Sequence, residues 1–221
     1  MVIEEVAYKY YTQLTEGKKT VTRSRGGGLV IVEKERIIKV FSPKKKGLYF
    51  YQFIENVTKL QKLNVPIMEL MGTYHVEGTP IFYMIYKPLV GVTLRDHLKQ
   101  SPEDCEIIKE LASFFAHIHK LGIYFRAVHF GNIIVLPEGG FGLIDFGNMI
   151  IRNKSLNPWF RARNFRLFTR KNYQQDFAQI AKFGVKSFME EYLQECRYSW
   201  GRKQVFYMWL RMYCNKFNAF L

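Results

Sequence analysis

The chain has 221 residues, room for one domain or two small lobes at roughly 100–200 residues per domain. Apolar residues make up 48% and aromatics 16%, which excludes a disordered, collagen-like or low-complexity chain. Lys and Arg number 33 against 19 Asp and Glu, a formal net charge of +14, so the folded surface calls for an anionic partner such as nucleic acid, nucleotide, phosphorylated glycolipid or acidic membrane.

The first 25 residues are polar and basic, with one amphipathic piece around Val6–Leu14. Gly26-Gly27-Gly28 then leads into Leu29–Val32, and Ile37–Phe41 follows across a short charged turn, the pattern of a β-hairpin. After the basic loop Lys44–Lys46, Phe50, Phe53, Val57, Leu60 and Leu63 recur at spacings of three and four. That spacing predicts a helix with one buried face, ended by Pro66. Met71–Val76 and Ile81–Tyr86 read as strands joined by the turn Glu77–Pro80. Residues 1–87 therefore predict a small antiparallel sheet with one helix, and residues 88–221 a mainly helical part.

In that second part, Ser101-Pro102-Glu103-Asp104 has the signals of a helix start, with Ser101 as N-cap. Ile107, Leu111, Phe114, Phe115, Ile118 and Leu121 form the helix's apolar stripe, and Gly122 closes it. Ile133–Leu136 and Phe141–Ile144 predict a second hairpin. From Tyr173 onward the chain reads as helix, and Trp200, Phe206, Trp209, Tyr213 and Phe217 fit a core helix. Cys105, Cys196 and Cys214 are odd in number and widely spaced, which fits free thiols in a reducing compartment. The first residues show no leader pattern, and no window is apolar enough for a membrane span. There is no zinc-hydrolase, nucleophile-elbow or complete P-loop motif.

Four pieces carry chemistry together. They are the glycines Gly26, Gly27 and Gly28 before a strand, Lys39 inside an apolar strand, Asn132 opening a strand, and Asp145-Phe146-Gly147 ending the next. Phosphoryl transfer needs a divalent cation held by hard oxygen ligands. Asp145 offers a carboxylate and Asn132 an amide oxygen, on neighbouring strands joined by a short turn. Lys39 can neutralise nucleotide phosphates.

From about Gly26 to Asp176 the chain resembles the protein-kinase-like superfamily, including the aminoglycoside phosphotransferases, and in particular the bacterial lipopolysaccharide core kinases that phosphorylate heptose or Kdo. The resemblance implies a bilobal α+β kinase-like fold that binds ATP and Mg2+. It makes Gly26–Gly28 and Lys39 the phosphate-binding residues, and Asn132 and Asp145 the metal ligands. Met84, Tyr86 and Leu89 become the segment against adenine, and Asp176 the brace of the catalytic loop.

The departures are specific. The family's loop reads His-Arg-Asp-x-x-x-x-Asn or His-Gly-Asp-x-His-x-x-Asn, and here it is Phe125-Arg126-Ala127-Val128-His129-Phe130-Gly131-Asn132. Ala127 stands where the catalytic Asp belongs, and a positioned acid–base group contributes about 10²–10⁴-fold. His129 is the candidate substitute, against the alternative that it only hydrogen-bonds within the loop or touches a phosphate; Arg126 is expected to pair with an acid or a carbonyl. Glu55 is the one acid able to pair with Lys39, while the expected helix position falls on Asn56.

Between Met149 and Gln175 there is no acid, and Arg161, Arg163, Arg166 and Arg170 interleave with aromatics. In a kinase-like chain this stretch would meet an anionic sugar or glycolipid acceptor, or an acidic membrane surface. The expectation is a phosphotransferase in the cytoplasm, peripheral on the inner membrane. A pseudokinase scaffold is the alternative that Ala127 motivates, and an RNA-binding protein ranks below both.

Overall fold

The computed structural model describes residues 2–16, 21–23, 28–41, 47–214 and 217. It divides into two units, Met1–Gln61 with Pro66–Leu89, and Lys62–Val65 with Val90–Leu221. The first is sheet-rich and the second largely helical, the α+β arrangement expected.

The first unit holds β1 (Glu4–Val6), α1 (Tyr8–Thr15), β2 (Val21–Arg23), β3 (Leu29–Val32), β4 (Ile37–Phe41), α2 (Leu48–Lys62), β5 (Glu69–Val76) and β6 (Phe82–Lys87). The strands form one sheet in the order β1-β5-β6-β4-β3-β2, antiparallel except for the β1–β5 pair. Strands β1 and β2 fall in the stretch that reads as polar and basic; their apolar content is too small to show a strand pattern.

Period-two alternation gives the sheet two apolar faces. Ile31, Ile38, Val40, Tyr83 and Ile85 share one, packed against Tyr11 and Leu14 of α1. Phe41 and Phe82 lie on the other, where Phe50 and Phe53 of α2 meet them at ring separations of 4.9–5.7 Å. The apolar stripe of α2 that the sequence marks is thus its sheet-facing side.

The second unit contains β7 (Val92–Thr93), α3 (Leu94–Gln100), α4 (Cys105–Lys120), β8 (Ile123–Tyr124), β9 (Ile133–Val135), β10 (Phe141–Leu143), β11 (Ile150–Ile151), α5 (Pro158–Phe165), α6 (Gln174–Phe183), α7 (Val185–Cys196) and α8 (Trp200–Tyr213). Ser101 is not the N-cap of α4. It closes α3, its N–H donating to the His97 carbonyl at 2.8 Å. The cap is Asp104, whose carboxylate accepts from Ile107 N–H at 3.0 Å and from the His97 ring at 2.8 Å. A carboxylate serves the orphan N–H groups and the dipole at once, so Pro102 and Glu103 are left to the turn between the helices.

Gly122 follows α4 with φ +85°, and a Cβ there would lie 2.3 Å from the Arg152 carbonyl oxygen. Only glycine allows that approach, and Arg152 N–H donates back to the Gly122 carbonyl at 3.0 Å, seating the β8–β11 pair. Helix α4 packs against α7, and α5 against α8. Phe165 sits at the centre of this core, edge-on to Phe115, Phe188 and Tyr192. Phe206 and Leu210 bury one side of α8, while Trp200 is 78% exposed. No helix among the described residues is long and apolar enough to cross a membrane.

Candidate functional site

In the first unit, Lys39 sits mid-strand in β4, opposite Val30 of β3 and Met84 of β6. Its side chain shares a face with Phe41 and lies on the side covered by α2. The ammonium is 4.4 Å from the Phe53 ring centroid and 5.8 Å from that of Phe41, so aromatic faces hold it in place. Met84 is fully buried, and Tyr86 and Leu89 are half-buried. Glu55 does not turn toward Lys39. It is exposed on the outer side of α2 and binds Lys59, one turn along, at 2.6 Å. The buried position on that helix is Asn56, one residue on, because the sheet-facing stripe falls there. Gly28 is buried immediately before β3; Gly26 and Gly27 lie outside the described residues.

In the second unit, a single 3-10 turn, Phe130–Asn132, leads into the β9–β10 hairpin. Asn132 is buried; its side-chain N–H donates to the Ala127 carbonyl at 2.9 Å, which fixes the amide and leaves its oxygen as an acceptor. Its backbone carbonyl accepts from Ile144 N–H at 3.1 Å, so the residue before Asp145 is tied to Asn132 across the hairpin. Asp145 itself is exposed and left-handed, with φ +53°. A non-glycine residue held there is strained, and such strain clusters at functional sites. A carboxylate and an amide oxygen brought to one end of a hairpin suit a hard divalent cation, with further oxygens supplied by substrate. Among the described residues, no group of three or more His, Cys, Asp or Glu forms a self-sufficient metal cage.

The loop before Asn132 is braced from below. Asp176, near the start of α6, is 1% exposed. It accepts Phe130 N–H at 2.9 Å and forms a forked pair with Arg95 of α3 at 3.0–3.1 Å. Arg95 carries no sequence signal of this role; its partner is 81 residues away in the chain. Ala127 presents no acid–base group. His129, two residues on, stacks on Tyr173 at 4.9 Å, and its buried Nδ1 has no hydrogen-bond partner. Burial, and then Arg95, hold its pKa below the ordinary imidazole value, against the opposing pull of Asp176 and Asp145. A neutral imidazole at pH 7 can take up a proton.

A second buried network holds the start of the loop. Asn164 of α5 receives Phe125 N–H and donates to the Phe125 carbonyl, at 3.2 and 2.8 Å. Its oxygen also meets the His119 ring at 3.0 Å, and the other His119 nitrogen meets Tyr192 Oη at 2.8 Å. His119 is wholly buried and its pKa is lowered to about 3, chiefly by burial and then by Arg161. Arg161, expected among the acceptor or membrane contacts, is instead 3% exposed. Its guanidinium is bound to the Leu156 carbonyl, Ser155 Oγ, Tyr192 Oη and Cys196 Sγ. The inward turn of α5 at this position, which places Ala162 and Phe165 in the core, takes Arg161 with it. Arg163, Arg166 and Arg170 remain exposed and line a small cleft with Arg126, Tyr124 and Leu167.

No protein-family model matches the sequence, and no curated protein matches it. Among solved structures, the chain is similar to three of WbdD. One is a complex with a kinase inhibitor (14% identity, TM-score 0.43, covering 78% of this chain and 45% of that one). Another is of monomeric WbdD (15%, 0.45, 76% and 44%), and the third is described as the bifunctional kinase–methyltransferase WbdD (13%, 0.44, 89% and 49%). This chain therefore spans about half the length of those proteins or less. Values this low assign no activity to it.

Proposed function

We propose that the chain is a kinase-like phosphotransferase that uses ATP and Mg2+ and acts on an anionic sugar or glycolipid of the lipopolysaccharide-core type. The observation that carries this reading is the β9–β10 hairpin, with Asn132 and strained Asp145 at one end and a braced loop leading into it. Asn132 and Asp145 would hold the cation, and Lys39 the nucleotide phosphates. Mg-ATP would supply the transferable phosphoryl group and the charge that stabilises its transfer. His129, neutral and next to the Asp176 brace, would take the acceptor's proton in place of the missing acid at Ala127.

A second reading has one observation in its favour. Ala127 leaves the loop without a carboxylate, so the chain can bind nucleotide without turning it over, as a pseudokinase does. Thermal shift with Mg-ATP tests the nucleotide part: a rise in Tm in the parent that is lost in Asp145→Ala and in Lys39→Met is expected, and no rise refutes both readings. Turnover of ATP with extracted lipopolysaccharide separates them. Label on the glycolipid that disappears in His129→Ala supports the enzyme. A nucleotide-dependent shift with no turnover supports the scaffold.

A further inference from the structure

We propose that the cleft lined by Arg126, Arg163, Arg166 and Arg170 binds a phosphate monoester. The proposal rests on the phosphotransferase reading only for its biological use, since it would hold a phosphate already present on the acceptor; the binding itself stands on the cleft.

Three of the arginines come from one stretch. Arg163 lies in the last turn of α5, Arg166 starts the 3-10 turn that continues it, and Arg170 closes that turn. Spacings of three and four residues bring them to one side. Arg126 joins from the loop after β8, next to Ala127. Tyr124 and Leu167, each 8% exposed, complete the lining, and no Asp or Glu takes part in it. Among the described residues none of the four guanidinium groups is in an ion pair, although the surface of the same chain offers pairs such as Lys59–Glu55 and Lys99–Asp96. Four like charges facing one cleft repel one another, and a bound anion converts that repulsion into attraction.

The kind of anion follows from shape and donor type. All four cations are arginines, whose planar forks bond two oxygens at once and so suit phosphate. Arg163 is held in place by the Trp159 ring, 5.0 Å from its guanidinium carbon, and Trp159 is itself fixed by its N–H bond to Tyr213 Oη at 2.9 Å. The cleft measures about 160 Å³. Sites for drug-sized ligands run to roughly 300–1,000 Å³, so this one takes a phosphate group and not a whole nucleotide. Arg126 is covalently next to Ala127, whose carbonyl positions Asn132, so a phosphate held here is anchored beside the loop.

The test is calorimetric titration, without nucleotide, of the whole chain with glucose 6-phosphate, and flotation with phosphatidylcholine vesicles with and without phosphatidic acid. The comparison proteins are Arg126→Gln, the double variant Arg166→Gln/Arg170→Gln, and Arg202→Gln on α8 as a charge-matched control. Binding that weakens about tenfold or more in the first two and is unchanged in the control is expected. Response to the sugar phosphate identifies a soluble source; response to phosphatidic acid vesicles alone identifies a lipid headgroup. No binding of either probe overturns the proposal, as does an equal loss in Arg202→Gln, which would mean diffuse surface charge. Phosphate binding in a chain that shows no Mg-ATP shift would refute the kinase reading and leave this site standing.

Discussion

His119 makes the stability of the second unit depend on pH in a way that can be calculated. The ring is enclosed between Tyr192 Oη and the Asn164 oxygen, with the Arg161 charge nearby, and its pKa falls to about 3. In the unfolded chain a histidine titrates near 6.5. Between those two values the unfolded state carries one proton that the native state does not, so stability falls as pH falls through that window. At about pH 5 the loss from this residue alone is about 2 kcal/mol relative to neutral pH and above. Carboxylates titrate too, so the measurement is a difference. Urea unfolding of the parent and of His119→Gln is compared at about pH 7.5 and about pH 5. The variant should be the less stable at the higher pH, because one glutamine cannot satisfy both partners, and its deficit should shrink by about 2 kcal/mol at the lower pH. Equal pH slopes in the two proteins would refute the reasoning, since they would mean that the native ring accepts a proton as easily as the unfolded one.

Two further outcomes follow from the loop and its hairpin. Asp176→Asn breaks the forked pair with Arg95 and weakens the bond to Phe130 N–H, and it should cost about 3 kcal/mol of stability in urea unfolding; a change below about 1 kcal/mol would show that the Asp176 carboxylate does not hold the loop. Asp145→Gly relieves a left-handed residue, so it should be as stable as the parent or up to about 1 kcal/mol more stable, while losing the Mg-ATP thermal shift; a destabilised variant would mean that Asp145 is there for the fold.

Where periodicity is strong, the sequence is a sufficient guide. The hairpin Leu29–Phe41, helix α2 and the apolar stripe of α4 follow from apolar spacing alone, because burial of one face decides them. The short strands β1 and β2 do not, since three residues carry no period and the sheet supplies their bonds. At the start of α4 two N-caps compete, Ser101 and Asp104, and local rules do not show that Ser101 is already used by a preceding helix. The candidate site divides in the same way. Asn132 and Asp145 can be found by spacing, whereas Arg95, Asn164 and Tyr173 act through contacts with distant parts of the chain. Arg161 and Arg163 are two residues apart and equally basic, yet one lies in the core and the other in solvent. The composition of the stretch hides that difference, and only the phase of α5 reveals it.

The parallel pairing of β1 with β5 has a consequence for how the chain acquires its shape during synthesis. Val2 accepts a hydrogen bond from Thr73, 71 residues further along, whereas β3–β4 and β5–β6 pair across short turns. A ribosome adding about 5–20 residues per second leaves β1 without its partner for some seconds after it emerges. During that interval it is an open edge, the kind of segment that recruits other strands. Two of its three residues are Glu4 and Glu5, acids in a chain with a net charge of +14. Their charges make the waiting strand a poor template for another copy of itself, and Glu5 later meets His75 at 3.3 Å when β1 pairs with β5.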